Sequence, residues 1–158
     1  MKQSLITKML LIGTLILSFG FQSCSSVKTI DQSKLEGYWQ LKTLKGESAN
    51  EAFKTPVPDL KFNFAENNIY GTGGCNRYTG VFSLTDKNEF SAKNPVATMR
   101  ACMDANKEPQ FFAALSTPNM KLSLENEGNT LLFSKGSDVI LEFVKSEELI
   151  SQKDILGQ

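Results

Sequence analysis

Residues 71–80, Gly-Thr-Gly-Gly-Cys-Asn-Arg-Tyr-Thr-Gly, gather the side chains best able to do chemistry: a thiol at Cys75, an amide at Asn76 and a guanidinium at Arg77. A nearby arginine can lower a thiol pKa and make the sulfur nucleophilic. Catalysis by such a thiol also needs a base. The chain has no histidine, which removes the Ser-His-Asp and Cys-His arrangements. With three cysteines and no histidine it also lacks the four Cys or His ligands of structural zinc. The carboxylates of Asp59, Glu66, Asp86, Asp104 and Glu108 fall mostly in expected turns or at a helix start, where solvation or capping accounts for them. Glu108 reads as a favourable charge at a helix N-terminus rather than as a catalyst. We therefore expect no catalytic residue, no metal site and no bound cofactor.

Three glycines in four positions call for positive φ or for close approach of another group, and Asn tolerates the left-handed region next best. The stretch should be a sharply bent hairpin, with Gly73 and Gly74 as its keystone. Arg77 and Tyr78 flank the bend and offer a charged fork and an amphipathic ring, so they are candidate contact residues. The plainer alternative places Tyr78 inside and leaves Arg77 solvated.

The elements that must hold this hairpin come from one domain. The 158 residues are 41% hydrophobic and 9% aromatic, ordinary for a globular protein with a core. Basic and acidic residues balance at 17 each, and removing Lys2 and Lys8 leaves 15 against 17. Without a basic stripe there is no basis for a nucleic-acid partner.

Residues 1–23 have the order of a signal peptide: basic Lys2 and Lys8, then an apolar run over 9–19 too short for a comfortable span. Phe21-Gln22-Ser23-Cys24 resembles a bacterial lipobox, with Phe21 and Gln22 departing from the usual Leu-Ala/Ser. That resemblance implies lipidation of Cys24, and several acyl chains on one residue give a stable membrane anchor. The alternative is a cleaved signal peptide with a chance cysteine. By resemblance to known sorting rules, Ser25 points to the outer membrane. The absence of an acidic run after it points to the periplasmic face. Polar, aperiodic residues 24–34 suit a tether.

From 35 onward the chain alternates apolar and polar residues. Strands are expected over 37–44, 60–64, 69–70, 78–84, 120–124, 131–133 and 139–144, with two shorter ones over 90–92 and 95–99. Residues 45–58 are expected as a loop, and 146–158 as a frayed tail. A helix of about two turns should start near an Asn106 N-cap. Glu108 and Pro109 would lie in its first turn, and Phe111, Phe112 and Leu115 would form its apolar stripe. Short strands without long helices argue for an antiparallel barrel or sandwich, with the helix as plug or lid.

The stretch 35–41, the motif residues Gly73, Gly74, Cys75, Asn76 and Gly80, and the segment with Thr98, Ala101 and Cys102 together resemble a META domain of the HslJ heat-shock lipoprotein type. The paired Glu108 and Phe111 and the Leu-rich strands extend that resemblance over 35–145. It implies a mainly β fold, a small lipocalin-like antiparallel β-barrel with one short α-helix, found in bacterial envelope proteins of which some are linked to heat or antibiotic stress. The family supplies no established activity, ligand or catalytic residue.

With Cys24 lipidated, Cys75 and Cys102 remain as an even pair in an exported protein, and we expect them to form a disulfide. The alternative is two buried thiols packed as small apolar groups. The expected function is that of a non-catalytic envelope lipoprotein acting through protein contacts or stress tolerance, with an unidentified envelope protein as partner. A lipocalin-like carrier of a small apolar ligand is the alternative. The inward-facing Trp39, Phe62, Phe64, Phe82, Phe133 and Phe143 favour a filled barrel over an empty one.

Overall fold

The computed structural model describes residues 28–54, 56–102 and 106–147, without the side chain of Asn94. Cys24, the 1–23 segment and most of the 146–158 tail lie outside the described residues. Nine strands follow in chain order: β1 (Trp39–Leu44), β2 (Glu47–Ser48), β3 (Asp59–Asn63), β4 (Asn68–Thr72), β5 (Arg77–Leu84), β6 (Glu89–Ala97), β7 (Met120–Glu125), β8 (Thr130–Lys135) and β9 (Asp138–Lys145). All pairings are antiparallel. β1, β3, β4, β5, β6, β7, β8 and β9 join neighbour to neighbour, and β9 pairs back onto β1 to close an eight-stranded barrel. Closure leaves β2 as a short flap on the outer half of β1. The expected mainly β barrel with one short helix is therefore what the chain forms.

Alternation sets the inside. Along β5, Tyr78, Gly80 and Phe82 face in while Arg77, Thr79 and Val81 face out. Ring contacts run without a break from Phe64 and Phe62 through Phe82, Phe90, Phe133 and Phe143 to Phe111, Tyr78 and Phe112. Trp39, Leu60, Ile69, Met120 and Leu122 fill the remaining space.

Several expectations need correction. The 45–58 stretch is not a plain loop. It holds β2 and the single-turn helix α1 (Ala49–Ala52), followed by the buried Phe53. Elements of two and four residues are too short to show a period. The two short strands expected over 90–92 and 95–99 are one strand, β6. Its pairing with β5 shifts register between Thr79 and Val81, and that bulge accommodates Pro95, which cannot donate to a regular ladder. Pro95 lies so near Gly80 that a Cβ there would stand 3.2 Å from the proline Cα. The helix α2 (Glu108–Leu115) has Lys107, not Asn106, at its N-cap position. Asn106 works one residue earlier, its Oδ1 accepting the Glu108 N–H at 3.1 Å. Phe111 and Leu115 of α2 are fully buried, consistent with a plug.

Part of the expected tether is docked. Asp31 Oδ1 accepts the Ser33 N–H and starts a 3-10 turn, Gln32–Leu35. Leu35 is fully buried, and its carbonyl accepts the Trp39 indole N–H at 2.9 Å. Ile30 N–H donates to Asn88 Oδ1 and Thr29 Oγ1 donates to the Asp86 carbonyl. Polarity concealed this because a few groups carry the docking: the Ile30 N–H, the Thr29 hydroxyl and the buried Leu35 side chain.

Register separates the two ends of the barrel. The N-terminal segment and the turns after β3, β5 and β7 share one end. At the other lie the turn between β4 and β5, the chain between β6 and α2, and the plug itself.

Candidate functional site

At this second end, β4 delivers residues 73–76 as a tight turn in which Gly73 N–H donates to the Asn76 carbonyl at 2.8 Å. Gly74 sits at φ +109°, and a Cβ on it would lie 2.8 Å from the Phe53 ring. Gly73 needs its missing side chain for a different reason: a Cβ would come within 2.5 Å of Phe112 and 2.8 Å of the Glu108 carboxylate. Both glycines are thus required as expected, one by conformation and one by close approach.

The turn wraps a carboxylate. Glu108, only 7% exposed, takes the N–H groups of Cys75 (3.1 Å) and Asn76 (2.6 Å) on Oε1 and the Asn76 amide (2.7 Å) on Oε2. Successive backbone N–H groups around an anion form a nest, and here the anion belongs to the protein. Glu108 therefore does more than favour a helix dipole, which corrects the reading made from its position alone. Asn76 completes the arrangement, its Oδ1 accepting from Thr98 Oγ1 (2.9 Å) and the Arg100 N–H (2.7 Å). Every polar group of this buried asparagine has a partner, as burial demands.

Cys75 and Cys102 are joined, with their Cα atoms 6.1 Å apart, so the expected disulfide links the turn to the chain leaving β6. The two sulfurs and a Glu108 oxygen lie within 4.8 Å of one another. Bonded sulfurs are not thiolate ligands, and the carboxylate is already held by three N–H donors.

The structure thus brings together Gly73, Gly74, Cys75, Asn76, Thr98 and Cys102, with Ala101 exposed beside them. Gly80 is not part of this cluster, since its place is opposite the β6 bulge. Tyr78 is corrected as a contact residue: it is 3% exposed, and its hydroxyl donates to the Asp59 carbonyl at 2.9 Å. Burial pushes its phenol well above the ordinary pKa, and the Asp59 charge adds to the rise. The reading of Asp59 needs the same correction. It is buried in β3 rather than solvated in a turn, and its Oδ1 accepts the Thr72 N–H at 2.9 Å. Glu108 was flagged by its place beside a helix start. Asp59 carried no signal beyond its position at the head of an alternating run.

Outside the cluster lies an open cleft of about 430 Å³, lined by Lys54, Thr72, Arg77, Arg100, Asn106 and the disulfide. Arg77 is exposed, as the plainer reading had it, but it borders a concave surface rather than a flat one.

Two solved structures share the fold. One, an NMR structure, has a TM-score of 0.55 and 18% identity, covering 73% of this chain and 94% of its own. The second, the NMR structure of a protein from Burkholderia xenovorans, has a TM-score of 0.53 and 20% identity, covering 74% and 86%. At such identities the likeness speaks for the fold alone. No match was found among curated proteins. The family model described as META domain matches residues 32–148, which spans the closed barrel, the plug and the disulfide end. The chain belongs to the META domain family.

Proposed function

We propose that this chain is a non-catalytic envelope lipoprotein, anchored in the outer membrane through Cys24 and facing the periplasm, that acts by contacting another envelope protein and so supports stress tolerance. One observation carries the reading: the barrel interior is occupied by its own side chains. Trp39, Phe90, Phe111, Phe133 and Phe143 are fully buried, and the ring contacts cross the interior from end to end. A barrel of this size filled by side chains has little room for a carried ligand, so the surface is left to act. Polarity of the fold agrees with an anchor. The N-terminal segment reaches the barrel at the end opposite the disulfide, which would turn the disulfide end away from the membrane.

Fractionation of cells producing the wild type and Cys24→Ala tests the anchor, with the wild type expected in the outer membrane and the variant released but folded. A wild type found soluble would sink it. The carrier alternative is addressed by titrating the folded protein with an apolar fluorescent probe. No saturable uptake is expected, and saturable binding inside the barrel would favour the carrier.

A further inference from the structure

The cleft at the disulfide end has the lining of an anion site. Arg77 and Arg100 both border it, and neither makes an ion pair among the described residues. Lys54 also borders the cleft but is already engaged by a partner of its own. None of the described lining residues is acidic, and Asp104 lies outside the described residues. Two acidic groups touch lining residues from behind, and both are committed: Glu108 to the loop N–H groups and the Asn76 amide, and Asp59 through Oδ1 to the Thr72 N–H.

The rest of the lining is polar and neutral. Thr72 also lines the cleft, and its buried Oγ1 has no hydrogen-bond partner. Asn106 brings a further amide to the lining. Two walls of the cleft are tied to each other. One wall is the turn held by Gly74, and the disulfide ties it to the segment carrying Arg100. A volume of about 430 Å³ suits a small molecule or the charged tip of a larger one.

We propose that this cleft binds a carboxylate or phosphate group of a soluble molecule, gripped by the guanidinium forks of Arg77 and Arg100. Neither guanidinium has an ion pair among the described residues, and an oxyanion seated between two such forks on one concave surface can accept paired N–H bonds from both. Low-dielectric walls strengthen the attraction relative to a flat surface. The source is placed in solution because the cleft lies at the end away from the N-terminal segment. This clause rests on the anchored orientation proposed above, whereas the anion chemistry does not.

The test uses the full chain in detergent micelles at low salt, titrated separately with citrate and inorganic phosphate and followed by amide NMR shifts. Saturable shifts confined to 72–77 and 98–102 are expected with at least one probe. Arg77→Gln with Arg100→Gln should weaken that binding by about tenfold or more while leaving the melting temperature unchanged, as the loss of charge-assisted forks requires. No saturable shift with either probe, or equal binding by the double variant, would overturn the proposal. So would shifts produced by phosphatidylglycerol vesicles but by neither soluble probe. Fractionation of Cys24→Ala reads the anchor separately, so failure of one leaves the other standing.

Discussion

Each end of the barrel is organised around one buried asparagine, and the two are used differently. Asn88, 4% exposed, holds the N-terminal end: its side chain bonds Ile30 N–H and the Lys28 carbonyl, while its own carbonyl accepts from Leu122. Asn76, 7% exposed, holds the other end, where its partners are Glu108, Thr98 and Arg100. The first ties the N-terminal segment and β7 across its end of the barrel with neutral hydrogen bonds. The second adds a buried carboxylate and a covalent bond, and that construction leaves a cationic cleft on its outer side. Covering one end of a barrel needs only the first solution. The extra charge and cross-link at the second end therefore point to a surface that must keep its shape, which is where a contact is expected.

The contrast predicts a ranking of losses. Removing the cross-link should cost most: for a sequence separation of 27, loop-closure entropy corresponds to about 3.5 kcal/mol, read as a lower urea midpoint for Cys102→Ser. Glu108→Ala strands three N–H donors and should cost about 3 kcal/mol, whereas Glu108→Gln keeps an acceptor for the backbone pair and should lose less. Equal stability of Glu108→Ala and wild type would break the comparison. At the other end Asn88→Ala should cost about 1–2 kcal/mol, because its partners lie nearer solvent and can bond water. A loss at Asn88 exceeding that at Glu108 would invert the ranking.

The smallest effect is a pH dependence at the Tyr78 phenol, whose folded pKa is raised well above 10.0 by burial. The unfolded chain loses this proton near the ordinary value while the folded chain keeps it. The contribution is therefore present in full below that value and is lost as pH rises through the folded pKa. Urea midpoints should fall on the alkaline side in the wild type, and Tyr78→Phe should flatten that slope.

Much of the barrel was legible because alternation reports burial directly: the pattern over β5 places Tyr78, Gly80 and Phe82 inside before any coordinates are known. The glycine turn and the disulfide were legible for chemical reasons, through φ and through cysteine pairing. Glu108 and Asn88 were not. Glu108 looks like a local feature of a helix start and Asn88 has no sequence signal, while their partners stand 32 to 33 and 58 to 60 positions away in sequence. Residue type identifies a hydrogen-bonding group, but only the fold decides what it meets. The docked 28–35 segment escaped for the same reason, since the Ile30 N–H and the Lys28 carbonyl meet Asn88, a partner that only the fold brings near.

Native-state hydrogen exchange of the folded protein, with and without reductant, tests most directly the claim that the two ends are held by different means. Reduction should release amides in 72–77 and 98–102, including the Cys75, Asn76 and Arg100 N–H groups, while Ile30 and Leu122 at the other end keep their protection. Equal loss at both ends, or undiminished protection of the 72–77 turn after the disulfide is broken, would contradict it.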